Sequence, residues 1–183
     1  MHKIVWGLVV MGMSCTAFAA DTPMPAGRAF DQQLKMIERE LVSLAEAMPA
    51  EKYAFAPKQG EFAGVRTFGQ QAAHVGAVIY LCAASVLGEK VPAEAGPGEN
   101  GPDTLKTKDD IVQYLKASFV YGHKAMNSVT EQNLMQPIQS PFGEGSVPRV
   151  SMVTAPVWHS FDHYGQMVVY ARMNGVVPPA SRK

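Results

Sequence analysis

Apolar residues recur at steps of three and four over four stretches of the chain, and no stretch shows the sustained alternation of a strand. In the first, Phe30, Leu34, Ile37, Leu41, Leu44 and Met48 fall on one helical face, with Arg28, Lys35, Glu38 and Arg39 mostly elsewhere, and Pro49 ends it. The second opens at Thr67-Phe68-Gly69-Gln70, where Thr67 and Gln70 have the spacing of a capping box, and it stops at Gly88. Ala72 to Leu87 has no formal charge, so most of the circumference of this helix should be buried. The third begins near Thr107, with Asp109 and Asp110 favourably placed against the helix dipole, and presents Ile111, Leu115, Phe119, Gly122, Met126 and Val129. The fourth starts between Ser151 and Ala155 and runs to Asn174. Pro156 argues for the later start, and Gly175 with Pro178-Pro179 closes the helix.

Four amphipathic helices of about 20 residues predict a four-helix bundle. The connections are long. Gly88 to Thr104 holds three prolines and four glycines, and Glu131 to Arg149 has room for a short hairpin around Ser140 to Val147.

The first residues stand apart from this pattern. A basic start at His2-Lys3, an apolar stretch from Ile4 to Met13 and the small-x-small sequence Ala17-Phe18-Ala19 predict a secretory signal over residues 1–19. One domain then spans residues 20–183, exported and most simply periplasmic. Gly12 stands where lipid attachment at Cys15 would require an aliphatic residue, which argues against a lipoprotein. With Cys15 removed, Cys82 is the sole thiol. Its small and apolar neighbours make it a core residue, and no internal disulfide can form.

Charge excludes some partners. Sixteen basic residues balance sixteen acidic ones without a basic stripe or a run of like charge. Nucleic acid and anionic membrane have little electrostatic reason to bind. No unbroken second apolar segment suggests stable membrane insertion. A homodimer is compatible with the pattern.

The chemistry lies in the histidines. His159 and His163 are four apart in Trp158-His159-Ser160-Phe161-Asp162-His163, so both rings project from one helix face, close enough to share an ion. Trp158, Phe161 and Val168 fall on a neighbouring stripe, read as the core face, and Gly165 would let another helix approach. Such a pair alone fits two separately bonded histidines as well as it fits a metal. His74 lies within the uncharged second helix, where a buried imidazole needs a partner: a carbonyl or carboxylate in a structural role, or a metal. His123 borders the apolar face of the third helix and is expected to be partly exposed. Asp162 is offset from the pair as a polar residue on another face. Gln166 and Tyr170 continue the histidine face, either toward an ion or its ligand or in interhelical hydrogen bonds.

The run His159-x-x-x-His163-x-Gly165-Gln166, followed by Tyr170, Arg172, Gly175 and Val177-Pro178-Pro179, resembles the terminal helix of the DinB-like superfamily. Arg66-Thr67-Phe68 through His74 matches the upstream helix of that family, which bears a single histidine. The resemblance extends over nearly the whole chain after the leader, though the first and third helices match only in pattern. It implies an all-α fold, a four-helix bundle of DinB-like type in up-down-down-up order with long inter-helix loops. It also implies that His74, His159 and His163 bind a divalent transition metal, zinc, nickel or iron in different members. Many relatives are cytoplasmic and use low-molecular-weight thiols, so the leader sets this chain apart from thiol-transferase chemistry.

Three neutral imidazoles leave the charge of an ion uncompensated and at least one coordination position open. That suits zinc, nickel or ferrous ion, which can acidify water or polarise a carbonyl. One expected function is a metal-dependent hydrolase or transferase acting on a small-molecule substrate. A second is a non-enzymatic periplasmic bundle that carries metal or a small ligand. A third is a purely structural bundle, with His74 bonded within the protein. No Ser-His-Asp elbow, phosphate loop or paired carboxylates are visible, and no side chain stands out as a catalytic acid or base.

Overall fold

The computed structural model describes residues 23–182, so the leader read in residues 1–19 lies outside the described residues. Its four long helices are α1 (Ala26–Ala47), α2 (Phe68–Leu87), α3 (Lys108–Asn127) and α4 (Arg149–Met173). Two short strands, β1 (Pro137–Gln139) and β2 (Ser146–Pro148), pair antiparallel with Ile138 opposite Val147, at the expected hairpin.

The helix starts follow local chemistry. The Thr67 hydroxyl accepts from the Gln70 N–H while the Gln70 side chain accepts from the Thr67 N–H, completing the expected box. The next N–H groups of α2 donate to the Phe55 and Tyr53 carbonyls of the preceding connection. Thr107 and Asp110 form the same reciprocal cap on α3. Gly88 ends α2 in the left-handed region, at φ 68°, where a side chain would be strained.

Helix α4 begins earlier than the sequence predicts, and Pro156 lies inside it. Proline removes one N–H and disfavours a helix interior by about 3 kcal/mol. Contacts around the preceding turns offset that cost. The Arg149 and Val150 N–H groups donate to the Gln136 and Leu134 carbonyls, and the Arg149 guanidinium donates to the Val86 carbonyl at the end of α2. Met152, Val153 and Ala155 are buried.

Contact register sets the direction of each helix. Gly69 meets Ile111, Gly76 meets Tyr114, and Ile79 meets Gly122, so α2 and α3 run parallel. His123 bonds Asp31 while Lys116 pairs with Glu46, so α1 runs against α3. Gln71 bonds His163 while Arg149 bonds Val86, so α4 runs against α2. The order is up-down-down-up. Helices α3 and α4 flank both α1 and α2, leaving α1 diagonal to α2.

The core is shared by all four helices. Leu34, Ile37, Leu41 and Leu44 of α1 meet Phe68, Val75 and Ile79 of α2, Leu115 and Phe119 of α3, and Met167 of α4. Almost all of α2 is buried, as its lack of charge predicts. It is long and apolar enough to cross a membrane, but 78% of that window is buried within the fold. Cys82 is fully buried, and burial pushes its thiol up to about 12.

Parallel packing of α2 and α3 has a consequence for the site. The chain leaves α2 at one end of the bundle and must re-enter at the other, so residues 88–107 run back along α2 as a strap. Tyr114 donates to the Ala95 carbonyl and Arg66 to the Asn100 side chain, pinning the strap against the bundle.

Candidate metal centre

Helices α2 and α4 bring His74, His159 and His163 together. One nitrogen from each lies within 4.8 Å of the other two, and the ring centroids are 4.6 to 4.9 Å apart. The α4 pair follows from its four-residue spacing. His74 joins it because antiparallel packing sets the middle of α2 beside that pair. Nothing local to His74 encodes this.

Outer partners fix two of the rings. His74 Nδ1 donates to the Glu99 carbonyl of the strap at 2.6 Å, and His163 Nδ1 donates to Gln71 Oε1 at 2.7 Å. With protons on those Nδ1 atoms, the Nε2 atoms of both rings are left as lone pairs. His159 Nε2 lies 3.1 Å from His74 Nε2, while its own Nδ1 is buried without a hydrogen-bond partner among the described residues.

His159 Nε2 either donates its proton to the His74 Nε2 lone pair or, with the proton on Nδ1, presents a second lone pair that a cation can bridge. Two nitrogens bound to one tetrahedral ion stand about 3.3 Å apart, and the 3.1 Å spacing of His74 and His159 fits that separation. All three ligand nitrogens lie within 4.8 Å of one another. The residues present therefore fit a single divalent cation. The donor set is all imidazole, with no thiolate or carboxylate in the cluster.

Electrostatics keeps these rings neutral. Burial pushes His159 down to about 4, with repulsion from His163 and His74 adding to it, and burial with the nearby His74 likewise pushes His163 down to about 4. His74 is also lowered, chiefly by burial, against the opposing effect of its bond to the Glu99 carbonyl. Asp162 opposes this shift at His159 and His163, while the positive charge of Arg66 adds to it at all three rings. Neutral imidazole is the metal-binding form.

Two openings flank the triad. A polar cleft of about 870 Å³ reaches His163 and is lined by Arg66, Asn100, Asp103, Lys106 and Gln166 among others. A more apolar recess of about 570 Å³ reaches His159, between Val78, Phe142, Met152, Ala155 and Trp158. The strap contributes to both: Glu99 faces the recess, and Asn100 and Gly101 face the cleft.

Other residues fall differently from the sequence reading. Trp158 and Phe161, expected with Val168 on the core face of α4, are 61% and 42% exposed, while Val168 is half-buried against the core. The buried stripe is instead Val153, Pro156, Ser160, His163 and Met167, so His163 itself occupies the core face. Spacing alone could not say which stripe turns inward, because the strap and recess leave room for Trp158 outside. A Cβ on Gly165 would meet nothing within 4 Å, so among the described residues no helix approaches there.

Gln166 bonds Asp162 at 3.0 Å within the same exposed helix face and lines the cleft. Tyr170 is buried with its ring edge-on to Phe55. His123 is half-buried, as expected, between Asp31 and Glu38 of α1.

Sequence reading missed Gln71 and the Glu99 carbonyl as ring partners, and Phe142 and Trp158 as walls. Gln71 had a signal: it is polar, three residues before His74, and borders the uncharged run of a buried helix. Glu99 acts through its backbone, which side-chain identity does not reveal.

The family model of the DinB superfamily matches residues 33–167 of this chain. The crystal structure of a DinB-like protein from Bacillus cereus ATCC 10987 is similar, with TM-score 0.63 and 18% identity over 83% of this chain and 95% of that one. A DinB-like protein from Bacillus subtilis is similar at TM-score 0.63 and 17% identity, over 85% and 99% of the two chains. These structural likenesses concern the fold. No curated protein matches this chain.

Proposed function

The chain belongs to the DinB superfamily, and on that premise we propose that it is an exported protein holding one divalent transition metal on His74, His159 and His163, as a metal-dependent hydrolase or transferase. The convergence of three neutral imidazole nitrogens from two helices carries this reading. The all-nitrogen set suits zinc, nickel or ferrous ion. When bound, such an ion supplies Lewis acidity, polarising a carbonyl or lowering the pKa of a nucleophile.

The protein's own residues prepare the site. Gln71 and the Glu99 carbonyl hold protons on the far side of two rings, so their lone pairs face inward. Burial keeps the rings unprotonated near neutral pH. The strap covers His74 and limits water on that side, while the flanking openings leave room for a small molecule beside His159 and His163.

One observation favours the alternative, a non-enzymatic carrier of metal or a small ligand. Asp162 is exposed and tied to Gln166, so it is not placed as a general base beside the triad. Steady turnover of an ester or amide that stops with chelator and returns with metal distinguishes the enzyme from the carrier.

The primary test is elemental analysis of the purified protein beside its His74→Ala and His163→Ala variants. About one metal per chain is expected in the parent and none in either variant. Equal metal content in all three overturns the reading. Export is tested separately, by the N-terminal sequence of the protein recovered from the periplasm, expected to begin at Ala20.

A further inference from the structure

Arg66 sits where its charge is a cost to metal binding. Three neutral imidazoles do nothing to neutralise a divalent ion; the Arg66 field reaches all three, opposed by Asp162 at His159 and His163 and by Glu99 at His74. A cation here weakens the affinity of the site for metal by repulsion. Among the described residues, the guanidinium bonds only the neutral Asn100 side chain, through Nε and one terminal nitrogen. No carboxylate is paired with it. Arg66 is half-buried on the wall of the polar cleft that reaches His163. Lys106 lines the same cleft, and Asp103 only partly offsets the two cations.

A guanidinium presents five N–H donors in a planar fork suited to carboxylate. Two are engaged by Asn100, leaving the others for a ligand in the cleft. On the other side of the triad, Trp158 and Phe142 stand 61% and 44% exposed around a recess with little polar lining. The His159 and His163 rings, one on each opening, have centroids only 4.6 Å apart. A molecule with an acidic end and an apolar body complements the two surfaces, which come nearest each other at the His159–His163 pair.

We propose that the ligand of this centre is a small organic acid, its carboxylate held by Arg66 in the polar cleft and its apolar body in the Trp158–Phe142 recess. The proposal deepens the metal-site reading and rests on it for the chemistry at the triad, but the Arg66 contact is a binding claim in its own right. Arg66 is the specificity-determining residue. The bound anion is attracted by both Arg66 and the ion, so acid and metal should strengthen each other's binding.

The test is calorimetric titration of the zinc-loaded protein with hexanoate, acetate, hexanol and hexylamine, with zinc content measured on the same samples. Hexanoate is expected to bind at least about tenfold more tightly than hexanol or hexylamine, as a charge-assisted hydrogen bond warrants. Arg66→Gln should abolish that preference and Arg66→Lys should keep part of it. Asn100→Ala removes the strap contact while sparing the cation, and should keep the preference for hexanoate over hexanol. Phe142→Ala should reduce the preference for hexanoate over acetate.

Equal binding of hexanoate and hexanol by the parent, or unchanged hexanoate affinity in Arg66→Gln, overturns the acid seat. So does an equal loss in Asn100→Ala, which would show that Arg66 acts through the strap. An unchanged preference in Phe142→Ala overturns the apolar half. A parent that takes up no zinc sinks the three-histidine reading instead, and the same titrations on that protein still decide the Arg66 contact.

Discussion

Gln71 accepts a hydrogen bond of 2.7 Å from Nδ1 of His163, across the interface between α2 and α4. Because Gln71 lies three residues before His74, one helix supplies both a proposed ligand and the group that orients the ligand opposite. Removing the amide leaves the His163 ring free to turn and its buried N–H unpaired. Gln71→Leu should lower zinc affinity by about 10–100-fold, the usual effect of losing a histidine's outer partner. Competition against a chelator of known affinity measures this, and unchanged affinity would remove Gln71 from the site.

Metal-free protein should lose stability as pH falls from about 6.5 toward 4. In the native fold His159 and His163 are held down to about 4, whereas an unfolded chain takes up those protons near the ordinary histidine value of about 6.5. Between these limits the unfolded state binds more protons, so stability is fully present above 6.5 and declines below it. Denaturant melts of chelator-treated protein at pH 7, 5.5 and 4.5 should show the decline. His163→Gln should flatten it, and a slope identical to the parent's would contradict the assignment.

Asp31 is a buried carboxylate joining α1 to α3. It accepts from Lys35 at 2.6 Å, His123 at 2.7 Å and Asn127 at 3.1 Å. Burial alone would raise its pKa, but the bonds and charges of Lys35 and His123 outweigh burial and hold the carboxyl below its ordinary value. A depressed native pKa means the contribution is present above the unfolded value, about 3.9, and is lost as pH falls through the native one. Asp31→Ala should destabilise the protein by about 2 kcal/mol at pH 7, with a smaller difference at pH 3. Equal destabilisation at both pH values would point to packing instead of charge.

Gly76 of α2 packs directly against the Tyr114 ring of α3. A Cβ there would lie 2.6 Å from a ring carbon of Tyr114, whose hydroxyl is tied to the Ala95 carbonyl and whose ring packs against Tyr80. The ring has little freedom to yield, so Gly76→Ala should cost about 1–3 kcal/mol despite alanine's better helix propensity. Thermal unfolding should show a midpoint lower by roughly 2–4 °C per kcal/mol. A higher midpoint would mean that the ring moves freely. Gly165→Ala on α4, with open space around it, is the matched control and should be neutral or stabilising.

Much of the bundle was legible in the chain because helices are local objects. The Thr67–Gln70 box, the face from Leu34 to Met48, the stop at Gly88 and the pairing of His159 with His163 all follow from spacings of three or four residues. Residues at those separations meet in any helix, whatever surrounds it. Family resemblance supplied the order of the helices and grouped His74 with the other two, which spacing within one helix could not do.

Tertiary structure decided the rest. It turned His163 inward and Trp158 outward, placed Pro156 inside α4, set Gln71 on His163, and carried the Glu99 carbonyl over His74 on a strap required by two parallel helices. Each of these depends on how helices far apart in sequence register against one another. That register is set by the whole shared core, while a local pattern fixes only which residues can share a face.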